Sequence, residues 1–449
     1  MPPRQMALVG FLQAQNCTNL AASWRHPESR LDFTSADFYQ EIARILEAGR
    51  FDIGFFDDRL SMPDRYGNDH HHTLEHGIRC VKLDPIVTLT MMAAVTKHLG
   101  LGSTGSTTYY EPFHIARAFQ TLDHMSGGRA AWNIVTSLND GEAANMGREE
   151  VMDHDLRYDR ADEFVEVVVG HWNSWRDDTL ILDQKTGRFA DGEKVRRLDY
   201  RGRFLHSRGP FTVPRSPQGH PVLMQAGASG RGKRFSARWA ELVFVAYHDI
   251  ASGRQDYAEF KGLVEAAGRD PGQVKVATLC YPICAATRAE AEDKAAYIQT
   301  LPLEIDALSL LSEALNFDFA KKGMDERFTD AEMASMQGLQ AIRDRVVKLA
   351  GTTNPTTRQF IELSGRGRPA RPWVGGPKEV ADIMEQWFTE RACDGFVIAA
   401  THVPGSYADF VRFVVPELQR RGLHRKEYSG PTLRDHLGLR VPPVPGWTR

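Results

Sequence analysis

The sequence predicts an α/β fold, a (β/α)8 TIM-type barrel with several insertions. Three observations lead there. Short runs apolar on both faces alternate with longer helical patterns along nearly the whole chain. Such runs belong to a parallel sheet covered on both sides. About eight strand–helix units can be counted, which favours closure into a barrel over an open doubly wound sheet.

The units follow in order. MALVGF (6–11) reads as the first strand, and SADFYQEIARILEAGRF places a serine cap before a 3.6-residue apolar spacing that ends at Gly49. FDIGFF (51–56) is the second strand, with a helix expected over roughly 84–98. LGLGSTGS (99–106) is the third, leading into the helix HIARAFQTLDHM, and RAAWNIVT is the fourth, with RADEFVEVVVGHWNSW as its helix. PVLMQAG (221–227) and ELVFVAY (241–247) bracket the helix RGKRFSARWA. GQVKVATLCYPI precedes AEAEDKAAYIQ, and GFVIAA (395–400) precedes YADFVRFVVPELQRRG. A barrel of this kind needs ~250 residues, so the rest of the 449 is expected in insertions near 60–83, 176–218 and 300–368 and in an extension over 423–449, all belonging to one domain. The loose GTTNPTTRQ and SGRGRPARPW segments mark 300–368 as a mobile cover.

Composition narrows the function. Lys+Arg 55 against Asp+Glu 58 leaves a net charge of −3, which argues against a nucleic-acid binder. Five scattered cysteines (Cys17, Cys80, Cys280, Cys284, Cys393) suggest no disulfide framework and fit a reducing compartment. The N-terminal apolar stretch is too short for a signal peptide, and no window approaches 18 apolar residues. A cytoplasmic protein with no membrane partner is expected.

In a barrel, polar residues at strand C-terminal ends point into the active-site mouth. Asp57 and Asp58 close the second strand, Ser103, Thr104 and Ser106 the third, and Asn133, Thr136 and Ser137 the fourth. Any one could simply cap a helix; three successive clusters mark a site. GASGRGK (227–233) matches G-x-x-x-x-G-K, but Arg234 stands where a P-loop needs Ser or Thr for magnesium, which disfavours an NTPase. The helix N-terminus, with Ser229 and the nearby Arg231, Lys233 and Arg234, still suits a phosphate. No G-x-G-x-x-G follows any strand, so reducing equivalents are expected from outside.

Four blocks carry a resemblance: GGRAAWNIVTSLNDGEAANMG, HDLRYDRADEFVEVVVGHWNSW, GPFTVPRSPQGHPVLMQAGAS and TLRDHLGLRVP. They resemble the nitrilotriacetate monooxygenase component A and dibenzothiophene-sulfone monooxygenase group of the bacterial luciferase-like, flavin-dependent superfamily. The likeness runs from about residue 5 to 442 and is weakest over 60–80 and 300–365. It implies a two-component, xenobiotic-degrading type of monooxygenase. Such an enzyme takes reduced FMN (FMNH2) from a separate NADH-dependent flavin reductase and uses O2 to oxygenate a small organic substrate. Carried over by residue, the flavin contacts are Asp58, Thr104, Ser106, Asn133, Ser137, His154, Tyr158, Ala228 and Ser229. His154 and Asn133 are the implied catalytic donors, His154 alternatively a phosphate contact. The chemistry asks for a dry, coverable pocket with donors fixed on the flavin edge, and 300–368 is the candidate lid. Relatives are dimers or tetramers, so a homodimer or homotetramer is implied.

Phe11, Asn19, Phe56 and Phe244 are the candidate substrate pocket. An aromatic wall favours a flat, poorly charged substrate, a sulfone or halogenated aromatic, over an aminopolycarboxylate, which would want arginines. Alternatives are a deazaflavin-dependent reductase or dehydrogenase of the same fold, an aminopolycarboxylate monooxygenase, and a flavin-storage protein. NDHHHTLEHG (68–77) could ligate zinc or iron, but without thiolate or fixed spacing it is read as a polar surface insertion, and no metal is assigned. Cys280 and Cys284 are expected as buried filler, and the tryptophans of HWNSW as core.

Overall fold

The computed structural model describes residues 4–13, 15–137, 139–148, 152–227, 230–336, 338–369 and 371–444, without the side chains of residues 154 and 341. Among them, eight parallel strands close a barrel: β1 (Ala7–Leu12), β2 (Ile53–Phe56), β3 (Gly100–Ser106), β4 (Ala130–Val135), β5 (Val222–Gln225), β6 (Leu242–Val245), β7 (Lys275–Cys280) and β8 (Gly395–Ala399). Each pairs with its sequence neighbours, and β8 closes on β1. The (β/α)8 architecture expected from the strand count is therefore present.

Seven connecting helices wrap the ring: α1 (Ala36–Ala48), α2 (Pro85–Ala93), α3 (Pro112–Met125), α4 (His154–Trp172), α5 (Gly230–Trp239), α6 (Ile250–Ala266) and α7 (Pro377–Thr389). Their starts follow local chemistry. Ser35 caps α1 by accepting from the Asp37 amide, Asp84 accepts from Ile86 and Val87 ahead of Pro85 in α2, and Asp249 and Ser252 form a capping box on α6. One face of α1 buries Phe38, Tyr39, Ile42, Ala43 and Leu46 against the sheet. α2 stops at Ala93, short of the expected 98. The Glu47 carboxylate collects the amides of Lys97, His98 and Leu99 at 2.6–3.0 Å, and Arg129 takes the carbonyls of Thr96 and Leu99. Those bonds draw the chain off the helix and into β3.

Strand side chains alternate between two cores. Val9, Ile53, Phe55, Ala131, Met224, Leu242, Ala277 and Val397 fill the barrel interior. The intervening Leu8, Phe56, Leu101, Phe396 and Ile398 face the helices. The bottom is closed by the C-terminal extension, whose Leu433, Leu437 and Leu439 join the interior cluster. Gly100 permits that approach: a Cβ there would sit 2.5 Å from the Asp52 carbonyl and 2.8 Å from Leu433. Arg434, fully buried, forks onto Glu241 at 2.6 and 3.0 Å and also donates to the carbonyls of Gln218 and Arg440.

The insertions have structure of their own. Residues 176–218 hold two short hairpins, Leu180–Asp183 with Arg188–Ala190 and Tyr200–Arg201 with His206–Ser207. The 300–368 segment, expected to be loose, is helical: Glu304–Leu315, Asp330–Ser335, Gln340–Ala350 and Thr357–Leu363. Phe317, Phe319, Phe328 and Phe360 meet edge to face with ring centroids 5.1–5.5 Å apart, a small core that the Gly- and Thr-rich flanks conceal in the sequence.

Cutting the Arg434 fork should cost far more than a surface pair. Burial pushes Glu241 up, but the Arg434 charge and hydrogen bonds outweigh it and hold the carboxyl below its ordinary 4.5. Its contribution is thus complete above pH 4.5 and fades as the pH falls through the lowered folded value. Arg434→Met is expected to lose about 3–5 kcal/mol in urea unfolding at neutral pH, since it strands a buried carboxylate. Adding Glu241→Leu should recover part of that loss.

Candidate active site

The strand C-termini open on one side, and a cleft of about 280 Å³ lies there. Asp57, Asp58, Thr104, Asn133, Ser137 and Tyr158 line it, so the three expected strand-end clusters and helix α4 converge. The β3–β4 register sets Thr104 opposite Asn133. Asn133 Nδ2 donates to Thr104 Oγ1 at 2.9 Å, and Thr104 spends its only proton on the Phe56 carbonyl at 3.1 Å. That order fixes the amide orientation. Asn133 Oδ1 is left buried and without a partner. A buried acceptor without a donor is costly, and here it faces a cleft.

Ser106 and Ser137 lie one step further along the rim. Ser137 Oγ donates to Ser106 Oγ at 2.9 Å, and Ser106 Oγ in turn accepts from the Thr108 amide. Ser137 has a φ of 44°, a left-handed conformation that strains a non-glycine residue, and Arg157 holds its carbonyl at 2.7 Å. Tyr158 packs edge-on against Phe235, 5.5 Å away. Burial raises the Asp58 carboxyl to about 6, with the Lys82 charge and the Arg59 amide pulling it back down. The His154 side chain, Ala228 and Ser229 lie outside the described residues.

Two expectations change at the mouth. Phe56 does not line it: strand alternation turns its ring outward, buried 6.0 Å from Tyr39 between sheet and helix. Phe55 takes the inward position, stacked 5.7 Å from Phe11 and 4.7 Å from Phe244. The basic residues of the α5 N-terminus are also engaged elsewhere. Arg231 pairs with Asp159 and Asp162, and Lys233 with Glu259 and Asp256. What that helix end offers a phosphate is its backbone rather than these two cations.

Sequence reasoning missed several mouth residues. Gln225 lines the cleft at the end of β5 and accepts from Ser236, and Glu142 also lines it and accepts from the Leu60 amide. Arg59, after β2, pairs with Glu313 of the 300–368 segment. Tyr281, just past β7, packs with Leu20 and Phe11, and its hydroxyl accepts from Asn19 Nδ2. Arg79 Nη2 donates to the Asn19 carbonyl at 2.7 Å. The strand-end rule applied to β7 would have flagged Tyr281; the insertion arginines leave no sequence signal. Phe11, Phe55 and Phe244 form an aromatic cluster, and Arg79 reaches it through Asn19 and Tyr281.

The histidine-rich stretch forms a short exposed helix, His71–His76, whose C-terminal carbonyl at His76 is held by Trp24 Nε1 and Arg25. Two exposed groups gather there, Asp69 with His70 and His71, and His72 with Glu75 and His76. A third, His26, Glu28 and His402, is more buried and was not anticipated. Cys280 and Cys284 are buried free thiols, and Trp172 is core. No helix among the described residues is long and apolar enough to cross a membrane.

Comparison with known proteins agrees with this geometry. The profile of the luciferase-like monooxygenase family matches residues 20–394. The chain is 44% identical to dibenzothiophene-sulfone monooxygenase from Rhodococcus erythropolis, over 99% of this chain and 98% of that one. It is 39% identical to nitrilotriacetate monooxygenase component A from Aminobacter aminovorans, over 93% of each. A crystal structure of a riboflavin lyase with modified FMN and riboflavin superposes with a TM-score of 0.88 at 31% identity, covering 98% of this chain and 97% of that one. A closed barrel with its polar strand ends gathered on one cleft, and relatives matched along almost their whole length, make this chain a member of the luciferase-like monooxygenase family.

Proposed function

We propose that this enzyme is the oxygenase half of a two-component system, binding FMNH2 delivered by a separate NADH-dependent flavin reductase and oxygenating a small organic substrate with O2. The observation that carries the assignment is the Asn133–Thr104–Phe56 chain, which leaves a buried acceptor facing the cleft. A flavin ring edge offers N–H donors that match it. When bound, reduced FMN supplies the electrons that let one oxygen atom enter the substrate while the other leaves as water.

The chain's own residues bind, orient and exclude water. Asn133 and Asp58 present acceptors along one edge of the cleft, while Ser106, Ser137 and Tyr158 line the way to the α5 N-terminus. There Ala228 and Ser229 would meet the phosphate, and His154, opening α4, would donate to flavin or phosphate. Phe11, Phe55 and Phe244 keep the floor of the mouth apolar. The Arg59–Glu313 pair ties the cover to the rim. The name of the nitrilotriacetate relative, a component A, supports a reductase partner. So does the lack of a dinucleotide fingerprint after any strand. Oxygen uptake with substrate oxygenation, dependent on FMN, NADH and an added reductase, tests the assignment; uptake that ends only in hydrogen peroxide with every substrate class tried would defeat it.

Two binding measurements test the site. Ser229→Ala combined with Tyr158→Phe should weaken FMN by several kcal/mol, at about 1.5–3 kcal/mol per charge-assisted hydrogen bond, yet leave riboflavin, which lacks the phosphate, nearly unaffected. Equal losses for both ligands would place the phosphate elsewhere. Asp58, raised to about 6, offers two acceptor oxygens when ionised, and protonation turns one of them into a donor. The affinity for oxidised riboflavin should therefore fall as the pH drops through about 6. Asp58→Asn should abolish that step.

A further inference from the structure

Charges inside proteins are normally paired, because an unpaired one forfeits its hydration without compensation. Most cations around the mouth obey this. Arg25 forks onto Asp306, Arg59 meets Glu313, and Lys82 meets Asp57 at 3.1 Å. Arg79 and Arg366 do not. Among the described residues neither has a carboxylate within ion-pair distance. Among the described residues the Arg79 guanidinium makes one hydrogen bond, through Nη2 to the Asn19 carbonyl, and its Nε is buried without an acceptor. Among the described residues no hydrogen bond engages the Arg366 guanidinium; only its backbone amide donates, to Ser364 Oγ.

The two cations converge on one place. The Tyr281 hydroxyl is bonded to Asn19, whose carbonyl holds Arg79. Gly367, next to Arg366, lies against Ala307, whose helix packs through Leu310 on Ile78, next to Arg79. Both arginine charges act on Tyr281. Burial and the neighbouring Arg366 charge lower Arg79 to about 10, and burial with Arg59 lowers Arg366. The rest of this corner is apolar: Phe11 packs on Tyr281 and Leu20, and Phe244 reaches it through Phe55. The nearest acids are committed, Asp57 to Lys82 and Gln13, and Glu313 to Arg59. Gly227, the last described residue before the expected phosphate grip, lines the cleft together with Tyr158 and Gln225.

We propose that the substrate carries an anionic head, a carboxylate or sulfur oxyanion, that docks between Arg79 and Arg366 while its apolar body lies against Phe11 and Phe244. This rests on the flavin-monooxygenase assignment and names the substrate class of the same site. Guanidinium groups suit such heads because their planar forks match two oxygens at once. An anion placed there also relieves the repulsion between the two arginines. The substrate is thus amphipathic: a polycarboxylate with no apolar body leaves the aromatic wall unused, and an uncharged aromatic leaves the cations unpaired.

The test uses matched pairs on the full-length protein: benzoate against benzamide, and benzenesulfinate and benzenesulfonate against methyl phenyl sulfone. Titration calorimetry and thermal shift are run on wild type, Arg79→Met, Arg366→Met and the double variant. Arg366→Met guards against a misfolded Arg79 variant, whose backbone sits at a φ of 53°. The anions should bind wild type at least tenfold more tightly than their neutral partners and raise its Tm. Each single variant should cut that preference severalfold, and the double variant should abolish it. Equal binding of anions and neutral partners to wild type, or anion binding unchanged in both single variants, overturns the proposal. So does a loss of reduced-FMN affinity in the variants with anion binding intact, which would assign the arginines to the flavin. A protein that binds no flavin but still selects anions through these arginines would defeat the monooxygenase assignment and leave the anion dock standing.

Discussion

Strand alternation in a closed ring is the constraint on which the site depends. Every second residue of each strand must point inward, and the interior has room for only one set. Ile53 and Phe55 take those places on β2, so Asp57 arrives at the rim while Phe56 is committed to the helix layer. On β4 the same parity that buries Ala131 brings Asn133 to the mouth, and the parallel register delivers Thr104 beside it. The floor completes the constraint. Leu433, Leu437 and Leu439 fill the barrel from below, so a ligand can enter only where the strand ends carry hydrogen-bonding groups.

Arginine serves two opposite purposes at the two ends of this barrel. Arg434 at the floor is fully buried and fully answered, by a carboxylate fork and backbone carbonyls, and it fixes the C-terminal plug in place. Arg79 and Arg366 at the mouth are enclosed and left unanswered. The difference is not one of residue type but of whether the fold supplies the counter-charge. Asp58 repeats the theme in the opposite sign, a carboxyl raised toward neutrality in a cleft rather than neutralised by a tight partner. Structural charge is settled within the chain; the charge left open marks where something else must bind.

The barrel was legible because its evidence is repeated: eight apolar runs separated by helical spacing survive an error in any one of them. The strand-end clusters were legible for the same reason. Single-residue outcomes were harder. Phe55 and Phe56 are identical in type, and only the register against β1 and β3 decides which faces inward. The end of α2 depends on Glu47, a residue from another helix whose role cannot be seen along the local sequence. The 300–368 segment looked loose because its Gly- and Thr-rich flanks hide a core in which Phe317, Phe319, Phe328 and Phe360 meet only in three dimensions. Arg79 and Arg366 are nearly 300 positions apart and carry no spacing that would join them.

The division of labour between strands and insertions follows from these facts. Groups facing the cleft come mostly from strand ends, whose positions the barrel fixes, and those of β4, α4 and β5 lie in the blocks that carry the resemblance. The two unpaired arginines come from segments grafted onto that frame, Arg79 after the histidine helix and Arg366 at the end of the long insertion. Ion pairs hold those segments down: Arg25 reaches Asp306 and the carbonyl of His76 together, and Arg59 reaches Glu313. A frame of this kind can keep one cofactor chemistry constant while insertions change what it acts on. That accounts physically for near-full-length relatives named for compounds as different as dibenzothiophene sulfone and nitrilotriacetate. With the proposed anion dock, substrate choice in this chain follows from the charge its insertions bring to the rim rather than from the barrel beneath.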